Sequence, residues 1–332
     1  MQGQLADDLH AARQRCCSPQ PIKEFPMNAM INPEKSVLVA KEFLAPKVTK
    51  YVVSAPDIAR RRKPGQFVIV RIHGDSERIP LTIADGDAQK GTITLIVQEV
   101  GKSTAEMAHL MREGDTFADL VGPLGTPTHI QKWGKVLAVG GGIGIAPLHP
   151  IAQALRAAGN EVVGILGART KELMIMEDEL RLACDRLRVM TDDGSHGVKG
   201  LVTDAIRAET ETLGKADMCV AIGPLVMMKF VSKLTQELGI PTLVSLNPVM
   251  IDGTGMCGGC RVTVGGETKF VCVDGPEFNG HLVDFEELQR RQRFYLPQEK
   301  GSYEQFLQVH GHEPKDCRLT RAVEAARVQE AK

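Results

Sequence analysis

The sequence lacks three features that would assign it to a membrane, to nucleic acid or to the secretory route. None of its apolar runs approaches the roughly 18 residues that a membrane-spanning helix requires. Its formal net charge is −1, so no overall basic field favours nucleic acid or an anionic membrane surface. The first residues, MQGQLADDLHAARQRCCSPQ, lack the apolar core of a secretory signal. These absences predict a cytoplasmic protein that binds neither nucleic acid nor membrane.

Cysteine is also too sparse for a disulfide scaffold, since there are eight in 332 residues. In a cytoplasmic chain, closely spaced cysteines are more often metal ligands or redox groups. Three of them form the pattern D-x4-C-x2-C-x11-C with Asp252, and these are Cys257, Cys260 and Cys272. Plant-type 2Fe–2S ferredoxins have C-x4-C-x2-C followed by a more distant cysteine. An aspartate therefore occupies the first ligand position here.

The residues around this motif favour an iron–sulfur cluster. Four glycines let the backbone wrap tightly and direct N–H groups at sulfur atoms. They are Gly253, Gly255, Gly258 and Gly259. The following stretch, VTVGGETKF, alternates around a Gly-Gly turn and predicts a hairpin that returns Cys272 to the other two cysteines. A zinc site or unrelated buried thiols are the alternatives, and Asp252 could instead cap a turn.

The pattern along the chain divides it into five segments. Residues 1–31 are a polar N-terminal extension, and residues 32–131 contain short strands with Gly, Pro and Asp between them, which predict an antiparallel β-barrel. In residues 132–246 apolar strands alternate with amphipathic helices, which predicts an α/β doubly wound parallel sheet. Residues 247–295 form a small cluster module. Residues 296–332 are a C-terminal tail with a helical stretch but too few apolar residues for a core of its own.

The predicted barrel carries two candidate nucleotide-binding segments. In RIPLTIAD, the guanidinium of Arg78 lies four residues from the hydroxyl of Thr82 on one strand, which suits a pyrophosphate and a flavin ring. Pro80 and Leu81 lie between them. The second segment, GKST, begins a helix whose free N–H groups could bind an anion. Its residues are Gly101, Lys102, Ser103 and Thr104. Taken alone, Arg78 could be a solvated side chain and GKST a simple helix cap.

The predicted parallel sheet carries three glycine-containing or acidic loops at strand ends. GGGIGIAP has the form G-x-G-x-x-P, which differs from the dinucleotide fingerprint, but its glycines still allow a backbone to approach a pyrophosphate. The ends of parallel strands meet at one edge of a sheet, so these loops should converge on a dinucleotide. The candidate residues are Gly141, Gly142, Gly144, Asp192, Asp193, Gly223 and Pro224.

The order of these motifs is that of a known family. RIPLTI, GKST, GGGIGIAP, TDDGS and IGPLVMMK follow one another as in the ferredoxin-reductase flavoproteins, which the sequence resembles. With NPVMIDGTGMCGGC and CVDGPEFNGHLVDF near its end, it is similar to a narrower family, over about residues 32–295. These are the small subunits of NADH-dependent reduced ferredoxin:NADP+ oxidoreductases, also known as sulfide dehydrogenase subunits.

The resemblance implies cofactors, a partner and a reaction. The cofactors are FAD, a 2Fe–2S cluster and NAD(H), and hydride passes between nicotinamide and flavin before single electrons pass to the cluster. The partner is a larger flavin and iron–sulfur subunit that resembles a glutamate-synthase small subunit, and the pair carries out flavin-based electron bifurcation. No side chain is needed as a general acid or base, so no catalytic residue is assigned.

Two other functions remain open on the sequence. Electron-transfer subunits of dihydroorotate dehydrogenase are similar in all three modules, but they carry a cysteine where this chain has Asp252. A non-catalytic electron relay would lack nicotinamide binding, against which the intact GGGIGIAP and TDDGS loops argue. The choice between NADH and NADPH is also open, because Arg169 could meet a 2′-phosphate, the adenosine or a carboxylate.

Overall fold

The structure is a computed structural model that describes residues 36–311. The predicted N-terminal extension and the last part of the tail lie outside the described residues. The segment made mainly of antiparallel strands comes first, as the sequence predicts. Its strands are β1 (Leu38–Ala45), β2 (Val48–Ser54), β3 (Phe67–Arg71), β4 (Ile79–Asp87), β5 (Thr92–Gln98) and β6 (Asp119–Leu124).

These six strands form an antiparallel sheet in the order β1-β2-β5-β4-β3-β6. Alternate residues of β2, such as Tyr51 and Val53, are buried, which is the period-2 pattern of a strand with one face on a core. A bridge between Val37 and Thr116 lies close to the two outer strands. Two helices flank the sheet, α1 (Pro56–Arg61) and α2 (Lys102–His109). The predicted antiparallel fold of this segment is thus confirmed.

The second sheet is the predicted parallel one. Its strands are β7 (Lys135–Gly141), β8 (Glu161–Ala168), β9 (Arg186–Thr191), β10 (Val198–Lys199), β11 (Met218–Ile222) and β12 (Thr242–Ser245). Their order is β10-β9-β8-β7-β11-β12, with every pair parallel. Because β7 is covered on both faces, its run VLAVGG is buried throughout, as is typical of a central parallel strand.

Helices cover both faces of this sheet. On one face, α3 (Ile145–Ala157) and α4 (Glu177–Ala183) share a core with Val136 and Ala138 of β7. On the other face lie α5 (Val202–Leu213) and α6 (Leu225–Glu237). The doubly wound architecture is therefore confirmed.

The cluster module contains the predicted hairpin. Strands β13 (Arg261–Val264) and β14 (Glu267–Phe270) pair in an antiparallel register. Gly265 and Gly266 both have positive φ, 61° and 84°, as a tight hairpin turn between them requires. A short helix, α7 (Val271–Asp274), follows and carries Cys272.

The module does not end at a clean boundary with the parallel sheet. Its strand β15 (Glu277–Asn279) pairs antiparallel with β12 and becomes the seventh strand of that sheet. An exposed edge of β12 would leave backbone N–H and C=O groups unpaired, and β15 satisfies them. The boundary predicted at residue 246 therefore separates two stretches of sequence that share one hydrogen-bonded sheet.

The described part of the tail is helical. Helix α8 (Phe285–Gln292) closes the module, and α9 (Leu296–His310) then returns to the barrel, where its Phe306 is buried against α2. Across residues 36–311, no helix combines the length and apolar character needed to cross a membrane.

A hydrogen-bonded seam joins the barrel to β15 and leads to a prediction about pH. Thr128 donates to the carboxylate of Glu277 at 2.6 Å. Burial raises the pKa of Glu277 from its ordinary 4.5 to about 7, although this hydrogen bond opposes the rise. The folded protein thus holds this proton more tightly than the unfolded chain does. The free energy of unfolding should therefore fall as the pH rises from 4.5 through about 7.

Replacement of this carboxyl group tests the seam. Glu277→Gln cannot ionise, so we expect it to remove the roughly 3 kcal/mol decline in the free energy of unfolding that a pKa shift from 4.5 to about 7 implies. Urea unfolding at a series of pH values measures the difference. Glu42→Gln, at an exposed carboxylate on β1, is the matched control and should leave the pH profile unaltered. An identical pH profile for Glu277→Gln and the wild type would contradict the assignment.

Candidate functional site

A large cavity lies between the barrel and the carboxyl edge of the parallel sheet. Its volume is about 1280 Å³, above the 300–1,000 Å³ of a typical small-molecule site. Residues from both predicted nucleotide-binding regions line it. They are Pro80, Leu81, Thr82 and Thr104 from the barrel, and Gly141, Gly142, Gly144, Asp192, Gly223 and Pro224 from the sheet. The structure thus brings together ten of the fifteen predicted cofactor-binding residues.

The glycines of the turn after β7 are needed for different structural reasons. A Cβ on Gly144 would lie 2.3 Å from the carbonyl oxygen of Ile222, and one on Gly141 would lie 2.3 Å from the sulfur of Met227. Both glycines allow close packing of this turn against the end of β11 and the start of α6. Gly142 differs: its φ is +53° and nothing lies within 4 Å of an added Cβ. Its open side is available for the approach of a ligand to the turn that leads into α3.

The loop after β9 presents one of its two aspartates to the cavity. Asp192 lines it, whereas Asp193 accepts hydrogen bonds from the backbone N–H of Ser195 at 2.9 Å and from its hydroxyl at 2.7 Å. These bonds from Ser195 lower the pKa of Asp193. His196 is paired with Glu177 at 2.7 Å. The loop is therefore held by its own contacts, and His196 has a structural partner.

The barrel residues separate into two groups. Thr82 and Thr104 face the cavity, but Arg78 lies outside its lining and donates to the carbonyl oxygen of Ile251 at 3.0 Å. Its guanidinium also pairs with Asp119 at 3.3 Å. Arg78 therefore links the barrel to the segment just before Asp252.

The GKST segment forms the start of α2. Gly101 is the cap residue, and its N–H donates to the hydroxyl of Thr104 at 3.1 Å. Ser103 donates to Glu77 at 2.7 Å, and Lys102 pairs with Glu106 at 3.6 Å. Of the four residues, Thr104 lines the cavity. The capping interpretation is thus correct for the local structure, and it places the start of this helix at the cavity wall.

Sequence reasoning missed two parts of the cavity wall. Beyond the pyrophosphate turn, the wall continues over Leu201, Val226 and Phe230, which are exposed apolar side chains. At the opposite end, Asn247 and Met250 line it, just before the cluster loop. An aromatic residue on the otherwise exposed side of α6 was the available signal for the first region, since exposed apolar residues often mark binding surfaces.

The carboxylate of Asp252 organises the cluster loop. It accepts hydrogen bonds from the N–H of Thr254 at 3.0 Å and from the N–H of Cys257 at 2.7 Å. Partial burial opposes ionisation, but these bonds outweigh it and lower the pKa of Asp252. This is the geometry of a turn cap. The role of Asp252 as a fourth iron ligand stays a prediction.

The three cysteines are close in the loop but not equivalent. Cys260 and Cys272 are buried with their sulfur atoms 3.2 Å apart, whereas Cys257 is exposed. Backbone N–H groups point at two sulfurs, from Gly259 to Cys257 at 3.5 Å and from Cys272 to Cys260 at 3.4 Å. Within residues 36–311, no group of three or more His, Cys, Asp or Glu side chains has the geometry of a metal site.

The donor chemistry of the loop nevertheless suits an iron–sulfur cluster. Thiolates are the ligands that such clusters require, and backbone N–H groups directed at sulfur stabilise their negative charge. Gly253, Gly255 and Gly258 have φ values of 75°, 84° and 64°, a conformation that glycine adopts without strain. The loop therefore fits the cluster in residue type and backbone, with two of the three thiols already in contact.

A barrel, a nucleotide-type parallel sheet and one cavity between them define the class of ferredoxin-reductase-type oxidoreductases. Comparison with known families agrees. Residues 138–233 match the oxidoreductase NAD-binding domain, and residues 247–284 match the iron–sulfur cluster binding domain of dihydroorotate dehydrogenase B. The second match favours an iron–sulfur cluster over zinc.

Individual relatives narrow the family. An electron transfer subunit homolog of dihydroorotate dehydrogenase B (NAD(+)) from Thermotoga maritima is 52% identical over 274 residues, 82% of this chain and 96% of that protein. The corresponding electron transfer subunit from Bacillus caldolyticus is 36% identical over 76% of this chain and 99% of that protein. A chain in the structure of an NADH-dependent reduced ferredoxin–NADP oxidoreductase, studied for flavin-based electron bifurcation, is 49% identical. It has a TM-score of 0.78 and covers 82% of this chain and 98% of its own length.

The chain belongs to the family of dihydroorotate dehydrogenase B electron transfer subunits and their homologues. It is an NAD-dependent oxidoreductase of the electron-transfer type, as the sequence predicts. The family matches and the ferredoxin-reductase fold support FAD, a 2Fe–2S cluster and NAD(H) as the cofactors. The relatives are electron transfer subunits, which implies that they act with a partner subunit.

The glycine turn generates a prediction about the dinucleotide. In Gly142→Val the side chain would project into the cavity from a backbone that side-chain-bearing residues rarely adopt. We expect binding of NADH to weaken at least about tenfold, because the backbone could no longer approach a pyrophosphate. Flavin content should be unaltered. Titration of the anaerobic protein with NADH measures the affinity.

The matched control for this prediction is Gly214→Val. Gly214 also has a positive φ, 78°, with no atom near an added Cβ, but it lies at the end of α5 away from the cavity. Because its ψ is 169°, a combination almost exclusive to glycine, Gly214→Val should show at least as much backbone strain with normal NADH binding. Equal losses of binding in the two variants would mean that strain, and not obstruction of the turn, is responsible.

Asp252 generates a second prediction, which separates an iron ligand from a turn cap. If its carboxylate binds iron, Asp252→Cys should keep a 2Fe–2S spectrum but shift the reduction potential by on the order of 100 mV. Asp252→Asn is the control, because its amide oxygen can still accept a backbone hydrogen bond in the turn. It should make the cluster labile if the carboxylate is a ligand. An unchanged spectrum and potential in Asp252→Cys would identify Asp252 as a turn residue.

Proposed function

We propose that this chain transfers electrons between NADH and a larger flavin and iron–sulfur subunit, in flavin-based electron bifurcation of the NADH-dependent ferredoxin:NADP+ oxidoreductase type. The single observation that carries the proposal is the continuous cavity from Gly142 to Met250. It has a barrel wall, a dinucleotide-type wall and an end at the cluster loop. The similarity to the bifurcating oxidoreductase supports it. The proposed location is the cytoplasm.

In this proposal the flavin lies along the barrel wall. Leu81 and Thr82 on β4 form one side, and Thr104 at the start of α2 brings helix N–H groups to the other. Arg78, Pro80 and the segment from Gly101 to Ser103 complete the proposed set. Because the Arg78 guanidinium contacts both Asp119 and Ile251, its positive charge also ties the flavin side of the barrel to the cluster loop.

The dinucleotide lies along the carboxyl edge of the parallel sheet. Gly141, Gly142 and Gly144 would meet its pyrophosphate, with Gly223 and Pro224 beside them, while Asp192 lies at the end of β9. If this carboxylate meets the adenosine ribose, it would accept from a ribose hydroxyl and repel a 2′-phosphate. We therefore propose NADH over NADPH, although Arg169 also lines the cavity.

The protein's contribution is to position the cofactors. The bound cofactors would supply hydride exchange between nicotinamide and flavin and one-electron transfer at the cluster. The two walls would place both rings side by side in one cavity, and the redox step requires no acid or base from a side chain. Packing of Gly253 against Leu124 and Ile69 holds the cluster loop on the barrel, near the end of the cavity at Met250.

The cluster loop carries an exposed apolar surface for the partner. Val249, Ile251, Met256 and Val273 flank the cysteines, and Met256 is 89% exposed. Contiguous exposed apolar side chains commonly mark protein interfaces. We propose that the larger subunit, resembling a glutamate-synthase small subunit, covers this surface and receives electrons there.

A second candidate is electron transfer to a dihydroorotate dehydrogenase catalytic subunit. The match of residues 247–284 to the cluster domain of that enzyme favours it, and so do its curated relatives. Asp252 in place of the first cysteine argues for the bifurcating oxidoreductase. A relay without nicotinamide binding is disfavoured by the match to an NAD-binding domain over residues 138–233.

The test uses the native complex with its partner subunit. NADH should bleach the flavin of this chain anaerobically, and NADPH should do so at least about tenfold more slowly, because Asp192 disfavours a 2′-phosphate. Met256→Glu should keep the bleaching by NADH but slow electron delivery to the partner at least about tenfold, because a charge at the interface costs desolvation.

Leu182→Glu, at another highly exposed apolar residue, on α4, is the control and should behave as the wild type. Absence of bleaching by NADH in the wild type would refute the function. Equal rates with NADPH would refute the cofactor choice. Copurification with a dihydroorotate dehydrogenase catalytic subunit would establish the second candidate instead.

A further inference from the structure

The helix that follows the cluster module returns to the barrel. Phe306 of α9 is only 6% exposed, and its ring meets the ring of His109 edge to face, with centroids 5.7 Å apart. The ring of His310 stacks on that of Phe306, with centroids 4.5 Å apart. Since His109 is the last residue of α2, this contact attaches α9 to the helix that begins at the cavity wall.

A polar contact accompanies the aromatic one. The hydroxyl of Tyr303 donates to the carboxylate of Glu99 at 2.6 Å and accepts from the ammonium of Lys47 at 3.2 Å. The other carboxylate oxygen of Glu99 lies 3.2 Å from His109, and the two side chains are 3% and 2% exposed. A buried carboxylate requires partners because burial without them is costly, so Tyr303 supplies part of what Glu99 needs.

Glu99 lies at the point where this group of contacting side chains meets the cavity. Its neighbours Gln98 and Val100 both line the cavity, while its own side chain turns away from it towards α9. Thr104, at the start of α2, lines the cavity as well, and His109 ends the same helix. The segment from Val100 to Thr104 is therefore anchored on both sides by residues that α9 contacts, Glu99 before it and His109 after it.

We propose that Tyr303 and Phe306 are positioning residues, which hold the Val100–Thr104 segment in the conformation that binds the flavin. The inference rests on the proposed function, which places the flavin against this segment. Segments with few stabilising contacts open locally at low free-energy cost. Tyr303 and Phe306 thus connect α9, which follows the cluster module, to the barrel segment proposed to bind the flavin.

The test compares three variants of the full chain. Tyr303→Phe removes one hydroxyl and keeps the ring, and Phe306→Ala removes the buried ring. Val309→Ala, at an exposed apolar residue of the same helix, is the control. We measure the dissociation constants of FAD and of NADH, together with amide hydrogen exchange of residues 99–104 in the protein without flavin.

Tyr303→Phe should raise the dissociation constant of FAD roughly tenfold, because a hydrogen bond to a charged acceptor is lost. Phe306→Ala should raise it at least as much. Both variants should speed exchange across residues 99–104, with NADH affinity retained in the flavin-loaded protein and Val309→Ala matching the wild type. A purely structural role would instead weaken FAD and NADH alike.

The outcomes separate this inference from the function on which it rests. Failure of the wild type to bind FAD would refute the proposed function and this inference with it. Wild-type binding with unchanged FAD affinity and unchanged exchange in Tyr303→Phe and Phe306→Ala would refute the inference alone. A general loss of fold in Phe306→Ala leaves Tyr303→Phe to decide, since that change preserves the packing.

Discussion

The pairing of β15 with the edge of β12 is the constraint on which the site depends. It carries the chain from the cluster loop back into the parallel sheet. Just before β15, the carbonyl oxygen of Gly275 accepts a hydrogen bond from the N–H of Thr126 at 2.7 Å. Thr128 and Glu277 extend the same seam. Because the end of the barrel and β15 are hydrogen-bonded to each other, the cluster loop, the barrel and the sheet take fixed positions around one cavity.

The main role of the polar contacts around this cavity is to hold side chains in position. Arg78, Asp252 and Glu99 are each engaged with protein groups: a backbone carbonyl and Asp119 for Arg78, backbone N–H groups for Asp252, and His109 and Tyr303 for Glu99. Fixed side chains lose little entropy when a ligand arrives, which favours a preformed site. In an electron-transfer protein this is sufficient, because the cofactors supply the chemistry and the chain supplies their separation and orientation.

Local sequence patterns predicted the strands and helices, and they also explained why some individual residues occur where they do. The alternation around Gly265 and Gly266 predicted the β13–β14 hairpin, and the buried run of β7 predicted a central parallel strand. Gly144 lies where no side chain fits. These predictions succeed because strand period, turn conformation and strand-end geometry are properties of short stretches of chain.

The sequence by itself determined the two sheets, the order of the modules and the cysteine-bearing loop, because each follows from spacing and residue type along a short segment. Only the tertiary structure decided that Arg78 turns towards Ile251, that β15 completes the sheet of another segment, and that α9 returns to the barrel through Phe306. Each of these contacts joins residues more than thirty positions apart. A sequence pattern does not show which distant group will contact a guanidinium, an open strand edge or an aromatic ring, because these contacts form only when the whole chain packs.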